Sequence, residues 1–116
     1  KALSALVGVA HLFFLYLEMF AWQTRGPKLF KGFPEEYFKQ SATLAANQGL
    51  YNGFLTAGLV WSLLISDPVW SRNVAMFFHG LVLVAGIYGG MTASKKIYYV
   101  QALPALLGVV ANFFLA

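Results

Sequence analysis

Between Lys39 and Asp67 the chain carries no charged residue. Most of that interval, Ala42–Ser66, is apolar and close in length to the ~20 residues that carry a helix across ~30 Å of hydrocarbon. Three further runs share the pattern. Ala2–Gln23 holds one charge, Glu18; Val69–Thr92 holds one, Arg72; Ile97–Ala116 holds none. Where no water is available, a helix satisfies its own backbone hydrogen bonds, and an isolated strand of this length does not. The expected fold class is therefore all-α: a membrane-embedded antiparallel four-helix bundle, with 1–116 as a single domain. A soluble bundle fits poorly, since 10% of residues are charged and 59% hydrophobic, against roughly 25% charged in soluble domains.

The connections are Thr24–Ser41, a tight Asp67-Pro68 turn and Ala93–Lys96. Short links make consecutive helices antiparallel neighbours. Arg25, Lys28, Lys31, Lys39, Lys95 and Lys96 then fall on one side of the membrane, and Lys1 and Arg72 on the other. The excess of Lys and Arg in cytoplasmic loops places the first and third connections inside and both termini outside. Trp22, Trp61, Trp70, Tyr98 and Tyr99 lie toward span ends, as interfacial aromatics do. The sequence opens without Met, so further native residues are expected ahead of Lys1. The first run holds Glu18 and lacks a small-residue cleavage site, and is read as a span rather than a signal peptide.

The first connection contains GPKLFKGFPEEYFKQS, which mixes Leu29, Phe30, Phe33 and Phe38 with lysines. Such a mixture suits the lipid headgroup layer, the plainer reading being a solvated loop with incidental aromatics. Pro34 followed by Glu35 and Glu36 is a helix-start signature, so helix is expected about two turns ahead of the second span. Cysteine is absent, which excludes disulfides, thiolate metal sites and cysteine nucleophiles. The basic residues sit between apolar runs and form no stripe, which argues against nucleic acid as a partner. The lipid bilayer is the expected partner, with a homo-oligomer or a larger membrane complex as further possibilities.

Polar residues inside spans are costly and mark sites or helix contacts. At 100° per residue, Ser4, Gly8, His11, Leu15, Glu18 and Trp22 share a face of the first span. Ser41, Ala45, Gln48, Asn52 and Leu55 share one on the second, flanked by Asn47 and Tyr51; Ala75, His79, Gly86 and Gly90 share one on the third; Gln101, Ala105, Gly108 and Asn112 share one on the fourth. Turned inward, these stripes predict a polar pocket open toward the cytoplasm, with His11 and His79 at its floor and Glu18 nearer its mouth. The candidate ligand-binding residues are His11, Glu18, Asn47, Gln48, Asn52, His79 and Gln101. No catalytic residue and no metal ligand set is assigned.

Each residue also has a plainer explanation. Asn and Gln hold membrane helices together at ~0.6–2 kcal/mol apiece. The pairs Gly49/Gly53 and Gly86/Gly90 permit close helix packing, and Pro104 reads as a local kink. Glu18 could be a shallow interfacial carboxylate, and a histidine could pair with an amide for packing alone.

The runs HLFFLYLEMFAW and ANQGLYNGFLTAGL resemble a family of small bacterial integral membrane proteins catalogued as a domain of unknown function. That family pairs an H-x-x-x-x-x-x-E first helix with an N-Q-G-x-Y-N-G-F second helix; His11, Glu18, Asn47, Gln48, Gly49, Tyr51, Asn52, Gly53 and Phe54 occupy those positions here. The resemblance covers nearly the whole chain and implies a four-helix membrane protein. It implies no activity, substrate or cofactor.

Function is open among four readings. The first is a binding protein or carrier for a small amphipathic molecule. The second is a membrane enzyme, of proton-transfer or isomerase type, on a lipid-soluble substrate. The third is a bis-His haem or metal protein: His11 and His79 lie at matching depth, roughly 13 Å from the outer ends of their helices, but Glu18 is roughly 10 Å from His11 along its helix. The fourth is an accessory subunit of a larger membrane complex. The small-molecule reading is preferred, because haem leaves Glu18 and the amides without a purpose.

Overall fold

A computed structural model describes residues 1–114, and every regular element in them is helical. The last two residues of the fourth expected span, Leu115 and Ala116, lie outside the described residues. In chain order the helices are α1 (Ala2–Phe20), α2 (Trp22–Leu29), α3 (Glu35–Gln40), α4 (Ala42–Leu64), α5 (Pro68–Thr92) and α6 (Leu103–Phe114), the last entered through a π-helical turn at Tyr98–Ala102.

Local chemistry sets most of these boundaries. The Asp67 carboxylate accepts the Val69 N–H at 2.9 Å and caps α5, with Pro68 in the first turn where its missing N–H costs nothing. Two turns of helix do precede the second long helix, as Pro34-Glu35-Glu36 indicates. They form the separate α3, because Ser41 leaves helical geometry at φ −94°, ψ 5°. Its hydroxyl donates to the Tyr37 carbonyl at 2.6 Å and accepts the Trp22 Nε1–H at 3.0 Å.

Two departures from the sequence reading stand out. The first apolar run is not one helix to Gln23: it breaks at Ala21, φ −130° and ψ 16°, and restarts as α2. Gly26 and Pro27, assigned to the first connection, lie inside α2. Gly26 is there because a Cβ would stand 2.8 Å from Cδ1 of the Phe38 ring. The fourth run is also interrupted. The Leu103 N–H reaches back five residues to the Tyr98 carbonyl, giving the wide turn just ahead of Pro104. Proline lacks a donor and crowds the carbonyl four residues back, and a widened turn accommodates both defects.

The chain divides into two compact units: Lys1–Gly8 with the chain from Leu55 onward, and Val9–Phe54. In the first, Val7, Leu59, Val82 and Ala105 form the core, one residue each from α1, α4, α5 and α6. Leu55, Phe78 and Leu83 pack against it. A Cβ on Gly86 would stand 2.6 Å from the Ala102 backbone nitrogen, so α5 meets the π turn backbone to backbone. In the second unit, α2 and α3 pack together around Trp22 and Phe38, whose ring centroids are 5.1 Å apart.

The surface is strongly apolar. Large side chains such as Leu6, Val9, Phe54, Phe77, Val84 and Leu107 are exposed, while Ser4, His11, Ser62 and His79 are buried. Helices α1 and α5 are long and apolar enough to cross a membrane. The α4 helix has the length, 23 residues, but Asn47, Gln48 and Asn52 lower its hydropathy, and Tyr98–Phe114 is a shorter apolar segment.

Candidate functional site

The Val9–Phe54 unit contains the most chemically distinctive contact. The Asn52 side-chain amide on α4 donates to Oε1 of Glu18 on α1 at 2.5 Å. Glycine makes the approach possible. One turn before Asn52, a Cβ on Gly49 would stand 2.8 Å from Met19 Cγ, 3.0 Å from Glu18 Cβ and 3.2 Å from the Leu15 carbonyl oxygen. One turn further on, a Cβ on Gly53 would meet the end of the Leu15 side chain. The two glycines let α4 lie directly on α1, and a carboxylate and an amide face each other across that seam. Such a pair can hold a polar group of a small molecule: the carboxylate accepts from a hydroxyl or amine, and the amide both donates and accepts.

The remaining predicted residues of this unit have different surroundings. Asn47 is exposed and its amide donates to the Thr43 carbonyl of its own helix at 2.9 Å. It lines a shallow groove with Met19, Thr43, Ala46 and Leu50. Gln48 is exposed on α4. His11 is buried, with the Phe14 ring edge-on at 5.1 Å.

His79 and Gln101 belong to the other unit. His79 is fully buried and its Nε2 lies 3.1 Å from Ser4 Oγ, joining α5 to the start of α1. Gly108 of α6 leaves the space that the His79 ring occupies. Gln101 is half-buried within the π turn. Among the described residues, no three His, Asp or Glu side chains gather as metal ligands would.

Sequence reasoning missed several polar contacts of the same unit. The Thr56 hydroxyl donates to the Gly8 carbonyl at 2.9 Å, tying α4 to α1, and the Ser71 hydroxyl donates to the Ser62 carbonyl at 2.6 Å. The available signal was the hydroxyl itself, since a Ser or Thr in an apolar helix bonds to a backbone carbonyl.

Over residues 5–113 the sequence matches the family described as protein of unknown function (DUF1304). The chain belongs to DUF1304. The uncharacterized protein YpaA of Lactococcus lactis subsp. lactis (strain IL1403) is 34% identical over 114 residues, which cover 97% of this chain and 94% of YpaA. No solved structure matches the chain. Membership in DUF1304 agrees with the resemblance carried by the first and second motifs. It assigns no activity, so a functional reading has to come from the Glu18–Asn52 contact and its setting.

Proposed function

We propose that this DUF1304 protein is an integral protein of the bacterial plasma membrane that binds a small amphipathic molecule through Glu18 and Asn52. In this reading α1, α4, α5 and the Tyr98–Phe114 segment cross the bilayer as an antiparallel four-helix bundle, with both termini outside. The apolar surface supports membrane embedding: large apolar side chains such as Leu6, Phe77 and Val84 are exposed, while Ser4, His11, Ser62 and His79 are buried along with the apolar core. One core residue from each of the four helices supports the bundle.

The observation that carries the binding role is the Glu18–Asn52 hydrogen bond, set between apolar helices at glycine contacts. A carboxylate in a span is expensive, and helix association alone is achieved more cheaply by amides or hydroxyls. A ligand with an apolar body and one polar head suits the site, its head at Glu18 and its body among the aliphatic residues. The cytoplasmic side is the natural entrance, because Glu18 lies near the end of α1 that leads into the basic first connection. Self-association, or membership of a larger membrane complex, is compatible with this role.

The test is mass spectrometry of small molecules that co-purify in mild detergent with wild-type protein, Glu18→Gln and Asn52→Leu. A molecule retained by wild-type protein and depleted at least tenfold from both folded variants supports the proposal. Equal retention by all three would falsify it.

A further inference from the structure

The segment between α1 and α4 has its own architecture, which the Glu18–Asn52 site does not use. Trp22 and Phe38 form its interior, with Phe38 only 1% exposed. The Trp22 indole is fixed by Ser41, and Phe33 stacks on Tyr37 with ring centroids 4.6 Å apart at 22°. The hairpin is thus ordered from within. Its apex is not closed over: Leu29, Phe30 and Phe33 remain 51%, 43% and 50% exposed. Lys28 and Lys31 alternate with these side chains, and Arg25 and Lys39 are also exposed. Against these four cations stand Glu35 and Glu36 in the first turn of α3, where a helix N-terminus favours carboxylates.

Three large apolar side chains interleaved with lysines at one apex match a layer that is anionic at its surface and apolar beneath. Water alone leaves the apolar groups unburied, and a soluble anion gives them nothing to enter. We infer that the α2–α3 hairpin docks on the cytoplasmic face of the bilayer, its lysines on anionic phospholipid headgroups and Leu29, Phe30 and Phe33 inserted below them. Basic clusters beside a span concentrate on anionic leaflets, and the attraction weakens with salt. The inference rests on the membrane-embedded reading above, and is independent of whether Glu18 and Asn52 bind a ligand.

The chain has no cysteine, so a single introduced thiol can be labelled cleanly. Gly32, at the apex, has nothing within 4 Å of the position a Cβ would take. A nitroxide on Gly32→Cys is compared in nanodiscs of phosphatidylcholine alone and of phosphatidylcholine with phosphatidylglycerol, by relative accessibility to oxygen and to a water-soluble nickel chelate. A second label at Val84→Cys, on the exposed face of α5, reports embedding itself. The expected result is a several-fold shift of the Gly32 label toward oxygen accessibility when phosphatidylglycerol is present. High salt and the triple variant Lys28→Gln, Lys31→Gln, Lys39→Gln should each reverse it, with the Val84 label in lipid throughout. A Gly32 label equally water-accessible in both discs, beside a Val84 label in lipid, overturns the docking inference alone. A water-accessible Val84 label overturns the embedded reading and the inference together. Protection of the Gly32 label by a soluble polyanion in phosphatidylcholine discs, with no response to phosphatidylglycerol, reassigns the basic apex to an acidic macromolecule and overturns the inference.

Discussion

Ser4 Oγ and His79 Nε2 lie 3.1 Å apart, 75 residues distant in sequence and both buried. The contact ties the first turns of α1 to the middle of α5. Removing one side of a buried hydrogen bond leaves the other to bear its desolvation. Ser4→Ala should therefore lower stability by about 1–3 kcal/mol, read as a lower unfolding temperature in detergent.

Gly108 gives way to the ring of that same histidine. Gly108→Ala places a methyl where the imidazole lies, and overpacking of this kind costs about 1–3 kcal/mol. His79→Ala vacates the ring. The double variant should then be more stable than the two single losses predict when added, and a double-mutant cycle measures the difference. Strict additivity would separate Gly108 from His79.

Gln48 and Asn52 should respond differently to the same change. Gln48 is exposed on α4, so Gln48→Leu should leave unfolding within about 0.5 kcal/mol of wild type. Asn52→Leu removes the amide that donates to Glu18, and should cost about 1–3 kcal/mol. Glu18→Gln in the Asn52→Leu background should recover part of that loss, because a neutral amide tolerates the apolar neighbour better. Gly49→Leu should prevent proper assembly, since its side chain would run into Glu18, Met19 and the Leu15 carbonyl.

The contrast between those two residues shows where sequence reading stops. Helical phase puts Gln48 and Asn52 about 40° apart, on what looks like one polar stripe. The seam against α1 is centred on Gly49 instead. From that centre Asn52 lies about 60° away and Gln48 about 100°, enough to leave one in contact and the other exposed. The stripe was legible; its centre depended on which glycine touches the neighbouring helix. The Asp67 cap and the helix after Pro34 were legible because their signals are local. The break at Ala21 had no such signal, because Ala21 is an ordinary helix former whose geometry follows from the packing of Trp22 against Phe38 and Phe30.

Haem is not expected to bind. His79 Nε2 is engaged by Ser4, and the ring is enclosed by Gly108. Protein expressed with haem supplied should show no Soret band. A Soret band lost in His11→Ala or His79→Ala would instead establish bis-His ligation.

Topology is open to direct measurement. With six Lys and Arg assigned to the cytoplasmic side and two to the other, both termini are expected outside. A reporter fused after Ala116 should be active only when its partner enzyme works outside the membrane. Activity of a cytoplasm-dependent reporter at that position would reverse the orientation.

The π turn at Tyr98–Ala102 carries one more residue between its bonded ends than an α turn, which rotates α6 by about 100° relative to the residues ahead of the turn. Tyr98, at its start, fits against Gly90; Gly108, beyond it on α6, makes room for His79. An unbroken α-helix through the same sequence would swing one of those partners away from α5. The extra residue thus acts as a phase corrector between two glycine sockets. Deleting one residue from 98–102 would restore a regular helix and cost the chain one of its two fits to α5.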